Sequence, residues 1–200
     1  LEFRRVLFRS AVARDFGLPV DACRGMVLLF PLDPQDTSIE GAPLEESRAY
    51  CAADGPQFIR QTIDNSCATM ALLHLLLNNP TMLTPHSLST ALRAQTARLN
   101  PVDAAGVIES SALLANLHDK FGGQGESSVP DEVRLHFVAL LPGPTGVHVL
   151  DGRRALPQLV PTGAGLDGAF ERLCHVAQQE FISRAPDEAD QFSFSALILV

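Results

Sequence analysis

The sequence lacks any apolar run near the ~20 residues that a membrane-spanning helix requires. No such segment is therefore expected to cross a bilayer. It also lacks a C-x-x-C pair and any close Cys/His cluster, its four cysteines (Cys23, Cys51, Cys67 and Cys174) being irregularly spaced, which argues against both a disulfide framework and a zinc site. Reduced thiols in a cytosolic setting are the expectation. Cations are scarce, with 15 Lys plus Arg against 23 Asp plus Glu and a net charge of −8, so phosphate backbones are repelled overall and nucleic acid is excluded as a first choice of partner. Lys120 is the single lysine, a compositional bias without a functional reading. Internal repeats and low-complexity tracts are missing as well.

What is present suits one compact domain. The chain has 200 residues, 46% of them apolar, and a chain of that length buries roughly 70% of the surface its unfolded form exposes, enough to fold without disulfides or metal. Residues 1–10 (LEFRRVLFRS) carry no periodicity that joins them to the rest of the chain and look like translated vector or adapter sequence. The expectation is that they lie outside a domain covering residues 11–200.

Met26 to Phe30 (MVLLF) is a short apolar run stopped by Pro31, which predicts a buried strand. Residues 31–46 are polar and contain proline, so a loop is expected there. Residues 68–77 (ATMALLHLLL) are almost wholly apolar, rich in Ala and Leu, and ended by Asn-Asn-Pro, the pattern of a helix buried on nearly all sides. Two further helices are expected at 87–99 and 102–117. Residues 119–130 (DKFGGQGESSVP) read as a long loop.

The period then changes to two. Residues 135–141 and 147–150 predict an antiparallel hairpin around the turn cluster 142–146 (PGPTG). An amphipathic helix over 166–183 and a closing strand over 192–200, placed centrally in its sheet by its apolar half, complete the pattern. Strands and helices in this order predict an α+β domain with a mostly antiparallel sheet.

Cys67 is the first candidate for chemistry. Asp64, Asn65 and Ser66 before it are helix N-cap types, which places the thiol in the first turn of the buried helix. Unpaired N–H groups and the helix dipole stabilise an anion there, although many free cysteines are only small buried hydrophobes.

A nucleophilic thiolate needs a base. His74 lies seven residues along the same helix, about 10 Å away at ~1.5 Å per residue, and fits a core histidine. His86, His118 and His175 have no carboxylate placed for them by the pattern. If the hairpin turn is centred near residues 143–144, facing positions sum to about 287, which pairs His136 with Asp151 and His148 with Ala139. A carboxylate there would fix the tautomer of His136; the competing reading is a strand histidine covered by a helix. Gln61 could add a side-chain amide to the Cys67 backbone N–H as an oxyanion donor, and by itself fits an ordinary polar residue equally well.

Residues 61–69 (QTIDNSCAT) with Leu75-Leu76-Leu77-Asn78-Asn79, followed by Leu135-His136-Phe137-Val138-Ala139-Leu140 and Leu150-Asp151-Gly152-Arg153, resemble the two active-site blocks of the UCH family of ubiquitin carboxyl-terminal hydrolases, in the family's order. Weaker similarity extends the resemblance over about residues 20–200. It implies a papain-like α+β fold, a mostly antiparallel sheet flanked by helices with the nucleophile at the N-terminus of a buried central helix. It implies Cys67 as nucleophile, His136 as general base and later acid, Asp151 as orienting acid and Gln61 as oxyanion donor. The implied reaction is hydrolysis of esters, thioesters and amides at the C-terminal glycine of ubiquitin, or of a ubiquitin-like protein, through an acyl-enzyme, by a monomer without metal or organic cofactor.

The stretch near 118–130 resembles the family's active-site crossover loop. Ala68 stands where the family usually has Gly, which adds a methyl group beside the acyl pocket. The family's opening strand and helix have no counterpart ahead of residue 11, so a longer natural gene is expected. Two rival readings accompany this one: a ubiquitin-binding module impaired in catalysis, and a cysteine hydrolase of another substrate class.

Overall fold

A computed structural model describes residues 3–6, 22–32, 43–51, 53, 55–122, 135–163, 165–166, 168–184 and 194–200. The elements run β1 (Phe3–Val6), β2 (Gly25–Pro31), α1 (Leu44–Ala49), α2 (Cys67–Asn78), α3 (Leu88–Thr96), α4 (Pro101–Glu109), α5 (Ala112–Gly122), β3 (Leu135–Pro142), β4 (Gly146–Leu150), β5 (Gln158–Pro161), α6 (Ala169–Val176) and β6 (Ser195–Leu199). The strands form one sheet in the order β1-β6-β2-β3-β4-β5, every neighbouring pair antiparallel. The expected α+β class with an antiparallel sheet is what the chain adopts.

Period-2 alternation sorts the sheet's two faces. Met26 and Leu28 of β2, Val138 and Leu140 of β3, and Ala196 and Ile198 of β6 pack with Phe170, Leu173 and Val176 of α6. Val27, Ala139 and Leu199, one residue out of phase, pack on Ala71 and Leu75 of α2. The opposite side of α2 supplies Met70, Leu73 and Leu77 to a helical layer with Leu92 of α3 and Ala104, Ala105 and Ile108 of α4. The central helix is thus enclosed between sheet and helices, which is why nearly every one of its positions is apolar.

Several expectations need correction. The loop expected through residue 46 gives way to α1, whose Ser47 is fully buried with its hydroxyl donating to the Ala155 carbonyl at 2.8 Å. The helix expected over 102–117 is two helices, because Ser110 ends the first and Ser111 begins the second by accepting the Leu114 N–H through its hydroxyl. β5 has no counterpart among the expected elements; it is a four-residue edge strand without a fully buried position. The helix expected over 166–183 starts at Ala169 and passes into a π-turn and a 3-10 turn from residue 177.

The hairpin register also differs. Gly143 N–H donates to the Gly146 carbonyl at 2.8 Å, Ala139 faces Leu150 and Leu141 faces His148. Facing numbers therefore sum to 289, and His148 does not face Ala139. Residues 3–6, expected to lie outside the domain, pair with β6 as an edge strand. The expected long loop is reached by α5 as far as Gly122, and residues 123–134 lie outside the described residues.

Candidate active site

Cys67 is the first residue of α2. Ser66 occupies the N-cap position without capping: its hydroxyl donates instead to the Ile63 carbonyl at 2.7 Å. The ladder begins with Met70 N–H to Ser66 C=O at 2.8 Å, so the amides of Cys67, Ala68 and Thr69 have no intrahelical acceptor and are available to an anion. Asn65, with φ of 56°, turns the chain into the helix through the left-handed region that asparagine tolerates better than most residues.

β3 brings His136 to this helix end. The imidazole is 3% exposed, and Phe30, its partner on β2, meets it edge-on at 5.7 Å and 82°. Its Nε2–H donates to Oδ1 of Asp151 at 2.8 Å. Continuing the hairpin register sets Asp151 across from Val138 and diagonal to His136, on the same side of the sheet. The pairing expected as directly opposed is thus diagonal, because the turn lies further along the chain than assumed and a slip by an even number of positions preserves the face.

Asp151 is 2% exposed and is held by more than His136. The Arg153 backbone N–H donates to Oδ1 at 3.0 Å, its Nε to Oδ1 at 3.4 Å and its Nη2 to Oδ2 at 3.3 Å. Arg153 is the member of this site that residue-type reasoning gave no role; the signal was an arginine two residues after the aspartate in a turn.

Burial alone would push the Asp151 carboxyl up, but the His136 hydrogen bond and the His136 and Arg153 charges outweigh it and hold the group well below the ordinary carboxylate range. His136 shows the mirror balance. Burial works to lower it, while hydrogen bonds to Asp151 and Cys67 and the Asp151 charge raise it above 6.5 in net effect. For Cys67, burial works upward and is overcome by the His136 hydrogen bond, the Phe137 amide, the His136 charge and the Ala68 amide, so the thiol lies below its ordinary value. Both directions favour a thiolate beside an imidazolium. Since Asp151 takes Nε2, the nitrogen left for the sulfur is Nδ1.

Cys23 and Cys174 behave oppositely. Burial pushes Cys23 up to about 11 and Cys174 up to about 12, whereas Cys67, half-buried like Cys174, is lowered by its partners.

Gln61 lies on an extended segment bordering the same corner. Its backbone N–H donates to the Gly152 carbonyl at 2.7 Å, one residue beyond Asp151, and its side-chain Nε2 donates to the Ile63 carbonyl at 3.2 Å. A Cβ on Gly152 would stand 2.9 Å from the Gln61 Cβ and 3.1 Å from its backbone nitrogen, so only glycine lets the acid's turn approach this closely. The structure sets the Cys67 thiol where the His136 imidazole lowers its pKa, hydrogen-bonds that imidazole to Asp151, and fastens the Gln61 backbone to the turn that carries the acid. His74, read as a core histidine, is completely buried. Among the described residues no group of three His, Cys, Asp or Glu side chains could hold a metal ion.

A thiol at the head of an enclosed helix, paired with a strand imidazole on a sheet of this kind, defines the class of papain-like cysteine hydrolases. Comparison with known proteins narrows the class. The family model "Ubiquitin carboxyl-terminal hydrolase, family 1" matches residues 15–181, and the chain belongs to that family. Ubiquitin carboxyl-terminal hydrolase isozyme L1 of Macaca fascicularis is 30% identical over 185 residues, covering 92% of this chain and 80% of that protein. The isozyme L1 of Monodelphis domestica is 29% identical over 184 residues, with 91% and 80% covered. Among solved structures, the catalytic domain of Trichinella spiralis UCH37 bound to ubiquitin vinyl methyl ester matches with a TM-score of 0.67 at 23% identity, over 98% of this chain and 84% of that one. That likeness speaks for the fold.

Proposed function

We propose that the protein hydrolyses ester, thioester and amide bonds at the C-terminal glycine of ubiquitin, with Cys67 as nucleophile, His136 as acid and base, Asp151 as the orienting acid and Gln61 as an oxyanion donor. The observation that carries this reading is the Cys67–His136–Asp151 arrangement, in which the thiol is lowered and the imidazole raised.

The steps are dictated by that charge arrangement. The Cys67 thiolate attacks the carbonyl carbon of the terminal glycine, a C–S bond forms, and the carbonyl oxygen becomes an oxyanion. Amides at the head of α2 and the Gln61 side chain stabilise it once Gln61 releases the Ile63 carbonyl. As the intermediate collapses, imidazolium Nδ1–H gives its proton to the departing amine, alcohol or thiol, leaving a thioester. Water then loses a proton to the neutral imidazole and attacks the thioester; the C–S bond breaks, the resting thiolate–imidazolium pair is regenerated, and the released carboxylic acid gives its proton to solvent. Throughout, Asp151 holds Nε2–H and so keeps Nδ1 directed at the sulfur.

Ubiquitin is supported as substrate by the family and by the ubiquitin-derived ligand of the Trichinella spiralis protein. An acidic chain of net charge −8 suits a partner with a basic recognition face. A thiolate enzyme keeps its activity in a reducing compartment, and we place it in the cytoplasm, acting as a monomer.

The test is reaction with ubiquitin bearing a C-terminal electrophile, the parent beside Cys67→Ala. Covalent labelling of the parent alone is expected, with Cys23, Cys51 and Cys174 untouched. Equal labelling of both proteins overturns the assignment of Cys67; binding of ubiquitin without turnover would select a non-catalytic module.

A further inference from the structure

His74 is a buried titratable group for which the proposed chemistry has no use. It is fully buried one turn before the end of α2 and stacks on Phe58, ring centroids 5.1 Å apart and planes 13° from parallel. Its Nε2 accepts the Ile59 N–H at 3.1 Å, with the Ile59 carbonyl oxygen also 3.1 Å away.

Ile59 is the middle of an extended stretch, residues 57–61, which belongs to no sheet and whose N–H groups at Gln57, Ile59, Arg60 and Gln61 are nevertheless paired. At one end Asn78, four residues after His74 and therefore on the same helix face, accepts the Gln57 N–H and donates to the Gln57 carbonyl, both at 2.8 Å. At the other end the Gln61 N–H donates to Gly152. The intervening Arg60 N–H points away, to the Pro101 carbonyl at 3.1 Å. Residues 57, 59 and 61 are thus anchored in turn by Asn78, His74 and Gly152. Two helix side chains stand in for a neighbouring strand, and His74 supplies the anchor nearest Gln61 on the helix side.

We propose that His74 is a positioning residue for the oxyanion donor: by fixing Ile59 it sets the course of residues 57–61 and so the placement of the Gln61 amide relative to the head of α2. The inference rests on the role proposed for Gln61. Cys67 and His74 leave the same helix, so one rigid element carries the nucleophile and, through Ile59, also places the donor that meets the charge the nucleophile creates. Positional error between the two is thereby kept small.

The experiment compares the parent, His74→Phe, His74→Gln, Gln61→Ala and the double variant His74→Phe/Gln61→Ala. Each is assayed for kcat and KM on a fluorogenic ester of the ubiquitin C-terminus and for the rate of Cys67 alkylation by iodoacetamide, a reaction that forms no oxyanion. His74→Phe preserves the stacking on Phe58 and removes the acceptor. It is expected to lower kcat by about 10- to 100-fold, the scale of a misplaced donor, with KM within about twofold of the parent. Alkylation should proceed at the parent's rate, the double variant should be no slower than Gln61→Ala alone, and His74→Gln should recover part of kcat. Additive losses in the double variant, alkylation slowed in step with kcat, or an unchanged kcat in His74→Phe would each overturn the proposal. If His74→Phe does not fold, the same non-additivity is read from His74→Gln in the Gln61→Ala background. A Gln61→Ala enzyme with the parent's kcat overturns instead the role of Gln61 on which the inference stands.

Discussion

Replacing Asp151 by Asn tests the electrostatics of the site with little change of shape. The amide retains an oxygen that can accept the His136 Nε2–H, so what is removed is the carboxylate charge, 2.8 Å from that nitrogen and 2% exposed. Two unit charges about 4 Å apart at an effective dielectric of about 20 interact by about 4 kcal/mol, and a hydrogen bond to a charged group contributes about 1.5–3 kcal/mol net. With the hydrogen bond kept in neutral form, a loss of about 2 kcal/mol is a reasonable central figure. At about 1.4 kcal/mol per unit, it lowers the imidazolium pKa by about 1.5 units. Arg153, its guanidinium then unpaired, acts in the same direction.

In an ion-pair enzyme the acid limb of the pH–rate profile reports thiol ionisation and the alkaline limb loss of the imidazolium, each a property of the coupled pair. The Asp151→Asn profile should therefore narrow from both sides, its alkaline limb moving down by about 1.5 units and its acid limb moving up as the weaker imidazolium supports the thiolate less. Near neutral pH, kcat/KM should fall about 30-fold, the rate equivalent of 2 kcal/mol. The assay is kcat/KM for the ubiquitin C-terminal ester across pH 5 to 10. An alkaline limb that stays in place would refute the reasoning, as would a profile of unchanged width at a uniformly lower height.

Gly152→Ala should force residues 151–152 and Gln61 apart, because the new methyl would meet the Gln61 Cβ and backbone nitrogen at 2.9 and 3.1 Å; kcat on the ester is expected to fall by at least about tenfold, with a lowered Tm by calorimetry. Iodoacetamide at pH 6 to 7 should modify Cys67 well before Cys23 or Cys174, whose thiols burial pushes up to about 11 and about 12, as peptide mass mapping over time will show. His74 gives a stability prediction of definite sign. Burial lowers its pKa to about 4 against 6.5 unfolded, so between those values the unfolded chain binds the extra proton and stability rises with pH, by about 3 kcal/mol over the window. Urea titrations at pH 4 and pH 7 should show His74→Phe with that much less pH dependence than the parent. His136, raised in the fold, keeps its own contribution throughout that window and loses it only as pH climbs through its folded value.

The parts of the site legible in the sequence were those fixed by short-range pattern. The apolar run after Cys67 requires a buried helix, and the turn cluster between two period-2 runs requires a hairpin, which together put the sulfur at a helix head and the imidazole on a strand. The register was not legible. Gly143 and Gly146 flank Pro144 and Thr145, and residue types at that turn are compatible with more than one centre; only the closing bond from Gly143 N–H to the Gly146 carbonyl decides it. His136 and Asp151 still share a face, diagonally rather than directly opposed, because an even slip leaves the face unchanged. α1 and β5 escaped for another reason. Both are short, and Ser47 and the alternating residues of β5 gain their places from tertiary partners such as the Ala155 carbonyl and β4. The importance of residues 57–61 was equally hidden, since an extended stretch anchored by side chains of a distant helix leaves no periodic trace.

Nucleophile and base arrive from different layers, one from the helix and the other from a strand beneath it. Shearing those layers against each other by the width of one side chain would leave both residues intact and the enzyme dead. Turnover is consequently a gauge of interlayer registry, and in mild denaturant it should fade while the bulk of the helical signal is still present.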